Sequence, residues 1–126
     1  MRHSIKGMLQ ASTIVAVLCS GHAVAHGVPD AKHGGHVTVS SDVSYELTRT
    51  DGKVTIYLED HGRAVNTAAY SGKLTVLKGT DKTEAALTPV APNGLEASVA
   101  TSSGDKLVAT LKKADGKTTS VRFVVK

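Results

Sequence analysis

The sequence predicts an all-β protein, a small immunoglobulin-like sandwich or Greek-key barrel of about seven strands. Three observations carry that prediction. Apolar residues recur with period two rather than with the 3.6 of a helix. Turns built from Gly, Asp, Asn and Pro fall between these runs at short, regular intervals. Once an N-terminal leader is set aside, about a hundred residues remain, enough for one domain with a modest core.

Val37 and Val39 open the alternation, and Val43, Tyr45 and Leu47 continue it. Thr50-Asp51-Gly52-Lys53 then joins this run to the next, in which Val54, Ile56 and Leu58 share one face and Thr55 and Tyr57 the other. Asp-Gly between two alternating runs is a strong hairpin signal. Further strands are predicted over 73–78, 83–88, 95–99, 106–112 and 118–125. Between them lie Gly79-Thr80-Asp81, Pro92-Asn93-Gly94, Ser103-Gly104-Asp105 and Asp115-Gly116. Internal repeats are not evident.

The leader has the three regions of a secretory signal. Met1–Lys6 is short and basic, Ala11–Leu18 is apolar, and Ala23-Val24-Ala25 presents small residues where a signal peptidase cuts. The apolar stretch is too short to span a bilayer. A lipid anchor on Cys19 would need a small residue before it, and Leu18 stands there. The predicted organisation is a signal peptide over 1–25, a flexible histidine-bearing arm over 26–36 and a β domain over 37–126. Localisation is expected in the periplasm, with no membrane span after cleavage.

Cleavage changes the composition that matters. The whole chain has 15 Lys and Arg against 11 Asp and Glu. Loss of Arg2 and Lys6 leaves 13 against 11, a net charge of +2. The one cysteine and both methionines lie in the leader, so the mature chain has no disulfide, thiolate nucleophile or zinc–cysteine cluster. Its cations are dispersed among only one Phe and three Tyr, which argues against nucleic acid.

The sharpest feature is the placement of four histidines. His26 becomes the N-terminal residue, His33 and His36 flank Gly34-Gly35, and His61 follows Glu59-Asp60. An N-terminal histidine offers its α-amine and its imidazole in one chelate, a donor set that copper(II) favours in tetragonal geometry. On a strand His33 and His36 would face opposite ways, but two glycines give the backbone freedom to bring the rings together. Ten extended residues span about 35 Å, so the arm can carry His26 to His61. The candidate metal ligands are therefore His26, His33, His36 and His61. Copper(I) would want sulfur donors, and calcium an oxygen-rich loop that the sequence lacks. Copper(II) fits best, then nickel(II) or zinc(II). Asp30, Glu59 and Asp60 read as solvated charges.

These residues carry a resemblance. The Ala-Val-Ala-His26 junction, the His33-Gly34-Gly35-His36 motif and the β body resemble small periplasmic proteins of bacterial heavy-metal resistance, above all the CopH type. The resemblance implies a periplasmic copper(II)-binding protein with histidine ligands and no catalytic activity. It also implies self-association as a homodimer and a place in an efflux system. The body is similar in layout to the CopC type of copper carrier as well, from which only His26 carries over. The methionine-rich loop and the Asp-x-His near the C-terminus of that type are missing here.

Two other classes compete with this reading. A metal-independent β-sandwich adaptor would bind a protein partner through its edge strands, and a copper(II) titration would be silent for it. A copper oxygenase would need a shaped, water-excluding pocket, which so few aromatics cannot build. Hydrolase patterns do not stand out. The chain is read as not an enzyme.

Overall fold

The computed structural model describes residues 27–126; the leader over 1–25 and His26 lie outside the described residues. The all-β prediction holds. Among the described residues there are nine strands and no helix. They are β1 (His36–Ser40), β2 (Val43–Thr50), β3 (Lys53–Asp60), β4 (Arg63–Ala64), β5 (Ser71–Lys78), β6 (Asp81–Val90), β7 (Gly94–Ala97), β8 (Lys106–Lys112) and β9 (Thr118–Val124).

Local turn chemistry sets the hairpins. Asp51-Gly52 joins β2 to β3, with Gly52 at φ 70°. Ser41-Asp42 joins β1 to β2 and His61-Gly62 joins β3 to β4, each with positive φ at both central residues. That is the two-residue turn whose twist matches the strands it connects. The short β4 is the element that alternation alone could not show, since two residues carry no period.

The strands follow one another in the order β1-β2-β3-β7-β6-β5-β8-β9, every pair antiparallel. β6 belongs to two ladders. Its Asp81–Leu87 portion pairs with β5, and its Thr88–Val90 portion turns to pair with β7. Pro89 sits at this corner, where the ladder is already giving way and a missing N–H is tolerated. The sheet thereby wraps almost into a barrel, and β1 and β9 come alongside each other without forming a ladder.

Inside lie Tyr45 and Leu47, Val54, Ile56 and Leu58, Leu74 and Val76, Leu95, Leu107 and Leu111, Val121 and Phe123, all buried. Val37 and Val39 depart from expectation. His36 and Thr38 are the β1 residues opposite Leu47 and Tyr45, so the two valines fall on the outward face with Glu46 and Ser44. Val37 is half-buried and Val39 is 44% exposed. The alternation in β1 is genuine, but its apolar phase faces away from the core. Among the described residues no helix is long and apolar enough to cross a membrane.

Candidate functional site

The candidate site is built on the outward face of β1, β2 and β3. Glu46 projects from β2 on this face beside Tyr57 of β3. The residues before β1 fold back across it as a strap. Lys32 N and His33 Nδ1 donate to Glu46 Oε1 at 2.9 and 3.0 Å, while His33 N and Gly35 N donate to Oε2 at 2.7 and 2.9 Å. Each carboxylate oxygen thus accepts two hydrogen bonds, and Glu46 is only 6% exposed. The His33 ring stacks on Tyr57, with centroids 3.7 Å apart and planes 7° from parallel. Lys32 Nζ reaches Glu59 at 2.8 Å, adding an ion pair along the same face.

The two glycines explain why this segment can wrap a carboxylate. Gly34 has φ 71°, and a Cβ on Gly35 would run into the carbonyl oxygen of Leu47. Backbone N–H groups from this compact turn converge on one anion, as in the nests that bind phosphates elsewhere. The His33-Gly34-Gly35-His36 motif therefore has a task that its sequence does not announce, the wrapping of a carboxylate. Its glycines bring amides to Glu46, while His33 and His36 line one open pocket with Leu47, Arg49 and Lys126. The expectation of a flexible arm over 26–36 is corrected from Lys32 onward, because three of its amides are committed to a nearly buried carboxylate.

Burial pushes the Glu46 carboxyl up, but the hydrogen bonds from Gly35, His33 and Lys32 outweigh it and hold the group below the usual carboxylate range. An ionised carboxylate only accepts, so His33 Nδ1 is the donor in this bond.

Three of the four predicted ligands, His33, His36 and His61, fall within the described residues, and they are not gathered into one cluster there. His33 lies over the outward face, on Tyr57. His36 pairs with Leu47 in β1 and shares the core-facing side of the sheet. His61 occupies the turn after β3, four residues beyond Tyr57, which strand geometry makes about 13 Å. One ion cannot join His33 and His61 while the strap holds. Among the described residues no group of three or more His, Cys, Asp and Glu is arranged to hold a metal. His26 lies outside the described residues.

His61 has neighbours of its own. Its Nδ1 is hydrogen-bonded to the Asp60 carboxylate, and its backbone is held at φ 49°. Gly27, Val28 and Pro29 line an open groove together with Val39, Asp42, Ser44, His61 and Gly62. The segment that leaves the Glu46 clamp thus runs back along the sheet to the β3–β4 turn.

No family model, curated protein or solved structure matches this chain.

Glu46 and Tyr57 were not singled out by sequence reasoning. Both sit at outward positions of strands, where a polar or half-polar residue is unremarkable. The one available signal was the Gly-Gly pair beside a histidine, which marks a close backbone approach without naming what is approached.

Proposed function

We infer that the chain is an exported copper(II)-binding protein whose site is closed on His61 by the mature N-terminus. One observation carries this reading: Gly27, Val28 and Pro29 share a groove with His61, Gly62 and Asp42. The residue immediately before Gly27 is His26, which after cleavage would offer both α-amine and imidazole. Consecutive Cα atoms are only about 3.8 Å apart, so His26 needs no long reach. His61 donates Nδ1–H to Asp60 and leaves Nε2 as the metal donor, with the carboxylate orienting the ring from behind. An amine and two imidazoles suit copper(II) best, then nickel(II) or zinc(II).

His33 and His36 stand outside this site, the first as a clamp on the strap. The open groove suits uptake and hand-on of an ion more than chemistry upon it. The CopH-type resemblance supplies the setting: a periplasmic homodimer serving efflux in heavy-metal resistance.

The test is a copper(II) titration followed by calorimetry and electron paramagnetic resonance on three forms. These are the chain beginning at His26, the same chain with one Gly added before it, and His61→Gly. The first should show nitrogen hyperfine structure. The other two should bind at least about tenfold more weakly. Equal affinity in all three would move the ligands away from this groove. A silent titration of the first form would favour the adaptor reading, with the unpaired edges of β1 and β9 as its docking strands.

A further inference from the structure

The two outward faces of the protein differ in charge. On the face of β1, β2, β3 and β7, the outward positions include the carboxylates of Glu46, Glu59 and Glu96, with Lys53 as the strand-borne cation. On β5, β6, β8 and β9 the pattern reverses. Cross-strand rows place Lys82 and Lys106 on either side of Leu77, Arg122 opposite Val108, Lys73 opposite Thr110, and Lys112 opposite Thr118. All five cations are exposed and lie on the side away from Leu74, Val76, Leu107 and Leu111. Glu84 is the single carboxylate among these outward positions, bonded to Lys73 at 3.3 Å and Lys82 at 3.2 Å. Among the described residues Lys106, Lys112 and Arg122 make no ion pair. Five cations against one carboxylate leave a formal excess of four positive charges on this face.

We propose that the outward face of β5, β6, β8 and β9 docks the protein onto an anionic lipid surface. The character of the face selects this partner. Four strands at about 4.8 Å spacing form a platform about 15 Å wide, over which the cations are spread and not aligned in a row. The remaining outward positions are Thr, Ser, Ala, Val and Leu, with no aromatic ring to stack on a base. A protein interface of comparable size would centre on aromatic or Met anchors in pockets and would be poor in Lys. This face is rich in Lys. A layer of anionic headgroups supplies diffuse charge without demanding shape, and four to eight clustered cations are the pattern that such a layer attracts. Docked in this way, the protein would turn the opposite face, which bears the strap and His61, toward solvent. The proposal does not depend on metal binding.

Co-sedimentation with mixed phosphatidylglycerol–phosphatidylcholine vesicles, and with vesicles of phosphatidylcholine alone, tests it. The mature protein should partition onto the anionic vesicles at low salt, stay off the neutral ones, and release as ionic strength rises past about 0.15 M. The triple variant Lys106→Glu, Lys112→Glu, Arg122→Glu should lose at least about 100-fold in partition, since each cation near such a surface contributes about fivefold. Its circular dichroism spectrum should match that of the parent. If the triple variant does not fold, Lys106→Gln with Arg122→Gln provides the same comparison at about a tenth or less of the parental partition. Equal uptake by neutral vesicles, or undiminished binding by a folded variant, overturns the proposal. Salt-sensitive self-association in sedimentation velocity without vesicle uptake overturns it too, and would assign the basic face to the acidic face of a second copy.

Discussion

His61 and Gly35 show how much a single residue's backbone can reveal. A non-glycine residue at φ 49° occupies the left-handed region, where Gly or Asn would sit with less strain. Nothing packs His61 into the core, because it stands in an exposed two-residue turn. Retaining a histidine there has a conformational cost of about 1 kcal/mol, set only against an exposed hydrogen bond to Asp60. His61→Gly should therefore raise the melting temperature by several degrees while weakening copper(II) binding. A variant that loses stability would show that the imidazole serves the fold instead. Gly35 behaves oppositely. Its close approach to Leu47 leaves no room for a methyl group, so Gly35→Ala should displace the strap and destabilise by about 1–3 kcal/mol. Hydrogen exchange at Lys32, His33 and Gly35 should quicken, while exchange in β5 and β8 stays slow. Unchanged protection at those three amides would contradict the clamp.

At the scale of elements, the loop between β4 and β5 is held by a buried hydroxyl. Thr67 is fully buried, and its Oγ1 donates to Gly94 O of β7 at 2.8 Å. Asn93 works beside it, its Nδ2 donating to Leu58 O at 3.0 Å. Thr67→Val keeps the shape but strips the donor from a buried carbonyl, which should lower stability by about 1–3 kcal/mol in a urea titration. An unchanged midpoint would mean that water reaches Gly94 and takes over. The sequence made the strands legible where two signals agreed, as in the Asp51-Gly52 hairpin with Val54, Ile56 and Leu58 on one face. It could not reveal which face of β1 meets the core, because Val37 and Val39 are apolar in the phase that pairing with β2 turns outward. The bend of β6 was equally hidden, since it depends on two partners far away in sequence. The histidines were legible as chemistry, but the separation of His33 from His61 was not. It follows from sheet register and from Glu46, an ordinary strand residue until a distant segment folds over it.

For the molecule as a whole, the strap joins residues before β1 to the body through one carboxylate, and that makes its contribution pH-dependent. Glu46 in the folded protein titrates below its ordinary value of 4.5. A depressed carboxyl stabilises the fold fully above its unfolded pKa and loses that contribution as pH falls through the folded one. A chain shortened to begin at His36 lacks all four hydrogen bonds to Glu46 and the ring over Tyr57. Ordering the strap opposes part of the gain, so the shortened form should be less stable by about 1–3 kcal/mol at neutral pH. That gap should narrow on acidification, because protonated Glu46 no longer draws in the strap amides. Urea titrations of both forms at about pH 7 and about pH 3 measure it directly. A gap of equal size at both values would mean that the stacked His33 ring and the Lys32–Glu59 pair, and not the carboxylate, fasten the strap. Equal stability at neutral pH would restore the free arm that the composition of these residues suggests.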